Sequence, residues 1–487
     1  MNARLFSVLF CAAVVAGVAS RSATSGQELR LAPPASRIAS AASDFHIDKV
    51  FSSLNSKDSP GCALGVFRDG AITYQRGYGM ASLEHDVPIT PASVFYAGSV
   101  SKQFTAMAAA LAMQQGKLSY DDPVRKYLPE LPAYADAIKV RHLIHHTSGL
   151  RDYNTLLTIA GRRDEDAWDN RLVLQMTARQ TQLNFKPGDE YLYSNTGYTL
   201  LATIVERATG QKFTAFAEAN IFKPLGMSVT HYHVDATRLV RNRALAYGGR
   251  AGQWTLDTPI NERAGAGGLY TSIPDLQKWD ENFYTGRVGG QDVLKQLQTR
   301  GTLNDGKTLG YAWGLQIGEY RGLPIVEHGG SLGGYRAHIL RFPSQHTSVA
   351  LLCNASTIAP AALARRVAEA VLGDRFTQPV PPPPAGGVPE TAIQVLPSIP
   401  AGLQREYAGR YYSEELDATF TITDGPQDPM LKRDTDAVPL KMERTSVPDQ
   451  FRVTGGLVIR FRRDADEKVN ALTVDAGRVR DITFVRR

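Results

Sequence analysis

The order of apolar and polar positions divides the chain into stretches of different character. Residues 61–68 and 72–78 read as two β segments, and the Asp69-Gly70 pair between them is a strong hairpin signal. Helical patterns fill the middle. Thr105-Ala106-Met107-Ala108-Ala109-Ala110-Leu111-Ala112-Met113 predicts an apolar helix that stops at Gly116, and a second helix runs over 198–207 and stops at Gly210. A third begins at Ser272-Ile273-Pro274-Asp275, where Ser272 is placed to cap and Asp275 to answer it three residues later. Strand patterns return at 323–327, 335–342 and 347–353, and a last helix is expected over 360–372, with Pro360 suited to its first turn. β segments at both ends of a helical middle predict one sheet built from distant parts of the chain with helices packed on it, an α+β architecture.

The ends read differently. Residues 376–400 carry Pro379, Pro381, Pro382, Pro383 and Pro384 and further prolines and glycines, which make a semi-rigid linker. Beyond it, short strands at 407–412, 418–422, 438–442, 450–453, 458–462, 471–475 and 481–485, separated by Gly, Asp and Pro, predict a small all-β barrel or sandwich over 401–487. At the start, Met1-Asn2-Ala3-Arg4 precedes one apolar run that closes on small residues. Residues 1–20 therefore read as a secretory signal, with a membrane anchor as the alternative. Residues 21–42, rich in Ser, Ala and Pro, form a flexible lead-in, leaving 43–375 as the main domain. The protein is expected to be exported, periplasmic or secreted, with no stable membrane span.

Composition adds less. At 487 residues the chain is long for one average domain, and 43% hydrophobic with 21% charged residues suits a globular core. The net charge of +6 comes without a long run of one sign, so nucleic acid is not an expected partner. Of three cysteines, Cys11 leaves with the signal, while Cys62 and Cys353 sit in strand-like runs. Two buried thiols are the preferred expectation, and one bridge in an oxidising compartment is the alternative.

The chemistry begins at Tyr96-Ala97-Gly98-Ser99-Val100-Ser101-Lys102, which runs into the first helix. Side chains at i and i+3 share a helix face, so the Lys102 amine stacks beside the Ser99 hydroxyl. A neighbouring amine with a depressed pKa can take the proton of an otherwise weak alcohol nucleophile. Taken alone, the pair reads more readily as a helix cap followed by a solvated lysine. Tyr193-Ser194-Asn195 offers a phenol and an amide just after the Lys186-Pro187-Gly188 turn, and His328-Gly329-Gly330-Ser331 ends a strand run with two glycines that let backbone approach a ligand. The cluster His142, His145, His146 suggests a metal site, but no carboxylate stands at ligand spacing.

With Ser99-x-x-Lys102, Tyr193-x-Asn195 and His328-x-Gly330 in this order, residues 45–372 resemble the serine β-lactamase and penicillin-recognising hydrolase family. The branch it looks most similar to holds class C β-lactamases, D-alanyl-D-alanine carboxypeptidases, D-aminopeptidases and related esterases. Supporting similarity lies in His142-Leu143-Ile144-His145-His146-Thr147-Ser148-Gly149-Leu150, Phe222-Lys223-Pro224-Leu225-Gly226-Met227 and Ala266-Gly267-Gly268-Leu269. The resemblance implies an antiparallel sheet flanked by helices, in which the Cys62 and Cys353 strands are neighbours. It implies that Ser99 is acylated, Lys102 activates it, Tyr193 shuttles protons, Asn195 orients Lys102 and the substrate, and backbone N–H groups of Ser99 and Ser331 form an oxyanion hole. His328, Gly329 and Gly330 would line the substrate site. No metal or other cofactor is implied, and the partner is a small-molecule or peptide substrate. His328 stands where many relatives carry a lysine, which puts strong β-lactamase activity in doubt. A trailing β-domain, as in D-aminopeptidase relatives, would place a loop over the cleft. The resemblance thus implies a serine hydrolase acting on D-amino-acid-containing peptides, amides or esters, with a carboxylesterase or weak class C-like β-lactamase as the alternative; a binding protein for peptidoglycan or β-lactams with little turnover is the alternative of another class.

Overall fold

The computed structural model describes residues 44–162, 168–260, 262–381 and 404–487. The signal, the lead-in and all of the linker beyond residue 381 fall outside these residues.

Six strands form one antiparallel sheet: β1 (Cys62–Arg68), β2 (Ala71–Tyr78), β3 (Gln316–Tyr320), β4 (Leu323–Leu332), β5 (Tyr335–Phe342) and β6 (Thr347–Cys353), in the order β3-β4-β5-β6-β1-β2. The hairpin turn between β1 and β2 takes positive φ at Asp69 and Gly70, as its Asp-Gly pair predicts. Alternate β1 residues face two cores. Ala63 and Phe67 join the cluster around helix α1 (Ser101–Gln114), whereas Leu64 and Val66 join the cluster under the Pro360–Leu372 helix. Burial on both faces is why β1 reads as a continuous apolar run rather than an alternating one. Helix α1 is buried all round, from Ser101 to Ala112, and helix α2 (Asn195–Thr209) packs beside it and ends at Gly210 in the left-handed conformation.

Cys62 and Cys353 are joined in a disulfide, which corrects the expectation of two thiols. They face each other directly in the β1–β6 register with Cα atoms 4.0 Å apart, so their side chains project from the same face of the sheet into the same buried cluster. The capping pair expected at Ser272 and Asp275 does not form either. Ser272 makes no side-chain cap, because Asp275 is held instead by the backbone N–H groups of Val229 and Thr230 at 2.9 and 3.0 Å and the Thr230 hydroxyl at 2.8 Å.

The C-terminal strands close into an eight-stranded antiparallel barrel: β7 (Gly409–Ser413), β8 (Ala418–Thr423), β9 (Met430–Arg433), β10 (Leu440–Arg444), β11 (Gln450–Val453), β12 (Leu457–Arg463), β13 (Val469–Ala476) and β14 (Val479–Arg486). Strand β9, absent from the sequence pattern, is the eighth stave that closure uses. The barrel is bound to the first region by a shared apolar cluster that takes Tyr153, Leu156, Ile159, Val173 and Met176 from one side and Phe420, Leu472 and Phe484 from the other. At its edge the buried Arg151 guanidinium donates to Glu415 at 2.6 Å and to the carbonyl oxygens of Arg480 and Asp481. Burial of a charged pair is tolerated only where each donor finds a partner, and here they do.

Candidate functional site

Ser99 lies in a 3-10 turn, Gly98–Val100, that leads into α1. Two glycines bring strand β4 against this turn. Gly98 has φ +54°, and a Cβ there would stand 2.4 Å from the Ser331 backbone nitrogen; a Cβ on Gly330 would stand 2.0 Å from the Ala97 carbonyl oxygen and 2.9 Å from the Ser99 nitrogen. No other residue type fits either place. The backbone nitrogens of Ser99 and Ser331 therefore flank one narrow gap between turn and strand. His328-Gly329-Gly330-Ser331 lies inside β4, not at its end, because pairing with β5 continues through Ser331↔Arg336.

Lys102 is fully buried, and its Nζ lies 3.0 Å from Ser99 Oγ, 2.9 Å from Asn195 Oδ1 and 2.9 Å from the Ala266 carbonyl oxygen. Burial holds its pKa well below the ordinary lysine value, against the opposing pull of the Asp152 carboxylate. A neutral amine has two N–H donors and one lone pair. The two carbonyl oxygens accept the donors, which leaves the lone pair for the Ser99 O–H. Asn195 opens α2, and Ser194 before it caps the helix by accepting from the Gly197 N–H.

Tyr193 lies with its ring centre 4.7 Å from Lys102 Nζ. Burial raises its pKa, against the Ser99 hydroxyl and Arg478, so it is a phenol and not a phenolate near neutral pH. His328 is buried too, and burial together with the nearby Lys102 lowers its pKa to about 3. Its Nδ1 donates to the Gly329 carbonyl oxygen at 2.6 Å and its Nε2 accepts from the Tyr311 hydroxyl at 3.0 Å. It is a neutral group with both nitrogens engaged.

The histidine cluster divides among three tasks. His142 Nδ1 accepts from the Lys139 N–H at a helix start, His145 Nε2 pairs with the Tyr120 hydroxyl at 2.9 Å, and His146 accepts from the Ser194 N–H with its ring 4.2 Å from that of Tyr193. Among the described residues no group of three or more His, Cys, Asp or Glu is arranged to hold a metal ion.

Ser99, Tyr193, Asn195, His328, Gly329, Gly330 and Ser331 all line one cleft of about 1040 Å³. Its opposite wall belongs to the barrel, through Gly455, Gly456, Leu457, Ala476, Gly477 and Arg478. Two residues there escape the sequence reading. Asp152 is buried, accepts from the Asn195 N–H at 2.6 Å and lies 3.7 Å from Arg478. It follows the quoted stretch 142–150 by two residues and was legible as an extension of it. Arg478 enters from the turn between β13 and β14, with its guanidinium carbon 4.9 Å from the Tyr193 ring centre. No local pattern marks it.

A buried amine aimed at a serine, an amide and a phenol beside both, and two backbone nitrogens flanking a gap define an acyl-transfer type of site. The family model described as Beta-lactamase matches residues 47–373. The chain belongs to this family of serine hydrolases. It is 30% identical over 314 residues to a D-aminopeptidase from Gluconobacter oxydans, a match that covers 64% of this chain and 59% of that protein. Penicillin-binding protein 4* from Bacillus subtilis is 28% identical over 324 residues, 63% of this chain and 71% of the other. In fold it matches the octameric penicillin-binding protein homologue from Pyrococcus abyssi with a TM-score of 0.60 at 22% identity, over 92% of this chain and 99% of that one. The alignment with the Gluconobacter enzyme thus spans less than two thirds of that enzyme's length.

Proposed function

We propose that this is an exported serine hydrolase that works through a Ser99 acyl-enzyme on D-amino-acid-containing peptides or amides. The observation that carries the reading is the Lys102 amine, kept neutral by burial and left with its lone pair facing Ser99 Oγ. Lys102 takes the serine proton as Oγ attacks the substrate carbonyl. The developing oxyanion sits between the Ser99 and Ser331 N–H groups, a kind of contact worth about 3–4 kcal/mol per donor. Tyr193, held as a phenol, passes a proton to the leaving nitrogen and is restored by the proton on Lys102; water then repeats the sequence in reverse and frees the acid. Asn195 holds Lys102 and the substrate amide, with Asp152 fixing the Asn195 backbone.

The D-amino-acid preference is supported by the D-aminopeptidase relatives. Export is supported by the N-terminal composition and by the Cys62–Cys353 disulfide, a bond typical of oxidising compartments. Strong β-lactamase activity is disfavoured by His328, which lacks the fixed charge a lysine supplies. D-alanine and L-alanine amides, p-nitrophenyl esters and nitrocefin, assayed side by side with Ser99→Ala as the blank, test the reading. Turnover of the D-amide, with L-amide and nitrocefin at least tenfold slower, is the expected result. A stoichiometric burst without turnover on all of them would replace the enzyme with a sensor.

A further inference from the structure

His328, in the third motif, brings this cleft no fixed charge, so a substrate carboxylate needs another partner. We propose that Arg478, carried into the cleft by the barrel, is the carboxylate-binding residue of this site, so that preferred substrates bear a carboxylate on the leaving group. The proposal rests on the Ser99 acyl-enzyme reading above.

Three observations support it. First, His328 offers a substrate neither charge nor a spare nitrogen, since Gly329 and Tyr311 occupy both ring nitrogens. Second, the other arginines lining the cleft are committed. Arg365 donates from one nitrogen to both Glu327 carboxylate oxygens at 2.8 and 3.0 Å, Arg336 donates to the carbonyl oxygens of Gly333 and Tyr335, and Arg263 is buried against the Tyr153 ring. Arg478 keeps 42% of its side chain exposed, and its contact with Asp152 at 3.7 Å is an ion pair too long for a hydrogen bond. The Asp152 carboxylate is meanwhile shared with the N–H groups of Asn195 and Thr155. Third, Arg478 is pre-positioned. Asn184 clamps the turn by donating to the Arg478 carbonyl oxygen at 2.9 Å and accepting from the Arg480 N–H at 2.9 Å.

Its place relative to the chemistry gives the side of the substrate it reads. The guanidinium lies over the Tyr193 ring, and Tyr193 is the group that delivers a proton to the departing atom. A leaving group that carries a carboxylate next to that atom presents it to Arg478. The fork geometry of a guanidinium suits a carboxylate bidentately. The surrounding wall leaves room: a Cβ on Gly455, Gly456 or Gly477 would meet nothing within 4 Å.

Two matched esters test this without relying on a D-amino acid: acetate esters of 3-hydroxybenzoate and of 3-hydroxybenzamide, which differ in leaving-group charge. The full-length protein should favour the carboxylate ester. Arg478→Gln should lower the acid-over-amide ratio of kcat/KM by tenfold or more, mainly through KM, and Arg478→Lys should restore part of it. If Arg478→Gln does not fold, the wild-type ratio should instead fall as salt rises; a salt-independent ratio overturns the proposal. So does a wild-type protein that takes both esters alike, or a ratio that Arg478→Gln leaves unchanged, and in each case the Ser99 reading stands. Turnover that survives Ser99→Ala overturns that reading, and the proposal falls with it.

Discussion

The wall of the cleft built by sheet and helices keeps Lys102 and His328 out of water, whereas the wall brought by the barrel leaves Arg478 almost half in solvent. On the first wall burial decides protonation. Lys102 loses its charge, His328 loses its charge, and Tyr193 keeps its proton. On the second wall an arginine, a residue type that keeps its charge in proteins, stands on the two-residue turn Gly477-Arg478 and reaches across to the Tyr193 ring. The difference separates two tasks that one surface would serve poorly. Moving protons requires groups whose charge is easily changed, and recognising an anion requires a charge that does not change. Placing them on different domains lets each be tuned by its own surroundings.

The largest effects should come from the buried wall. Ser99→Ala should abolish covalent labelling by a fluorophosphonate probe, and Lys102→Ala should slow it by at least about a hundredfold, the scale of a lost general base. Lys102→Arg should do no better than Lys102→Ala, because a guanidinium cannot act as the base. Rapid labelling in Lys102→Arg would show that position 102 supplies only charge, and the contrast between the walls would fail.

Next come the joints that hold the walls in place. Glu415→Ala strands the buried Arg151 beside the barrel and should cost about 3–5 kcal/mol in denaturant unfolding. Adding Arg151→Met should recover much of that loss. A Glu415→Ala protein as stable as wild type would mean that the barrel is held by apolar contact alone. The disulfide should matter somewhat less: Cys62→Ser should cost about 2–4 kcal/mol, and a non-reduced digest should yield the two cysteine peptides linked. Free thiols at both positions would return the sheet to the state expected from sequence.

Much of this was legible in the chain, for physical reasons that also explain what was not. The Ser99–Lys102 contact follows from helix periodicity, and the hairpin turn at Asp69-Gly70 from backbone preference, so both are local. Strand β3, Gln316-Ile317-Gly318-Glu319-Tyr320, hides because it is a mostly exposed edge strand with a glycine at its centre, and strand β9 because only four residues pair. The cysteine pairing depends on β1–β6 register, set by residues 291 positions apart in sequence. Arg478 is the extreme case. Its meaning comes from the docking of one domain on another, through Arg151, Asn184 and the shared apolar cluster, and nothing next to it in sequence carries that information.

The smallest effect is also the sharpest test of how the two walls meet. Lys102 works as the neutral amine, so labelling of Ser99 should slow as pH falls through the Lys102 pKa, which burial places below the ordinary lysine range. Two groups at the junction push that limb in opposite directions. Asp152 favours the ammonium and raises the pKa, whereas Arg478 disfavours it and lowers the pKa. Asp152→Asn, which keeps an oxygen for the Asn195 N–H, should therefore move the acid limb to lower pH, and Arg478→Gln should move it to higher pH. His328, with its pKa lowered to about 3, should leave no limb of its own near neutrality, so His328→Gln should change the rate without changing the shape of the profile there. Measured with a neutral probe, this profile is independent of substrate recognition. Shifts of the same sign in Asp152→Asn and Arg478→Gln would show that both act by disturbing structure. Opposite shifts would show the barrel's charge acting on the proton that Lys102 must shed before Ser99 can react.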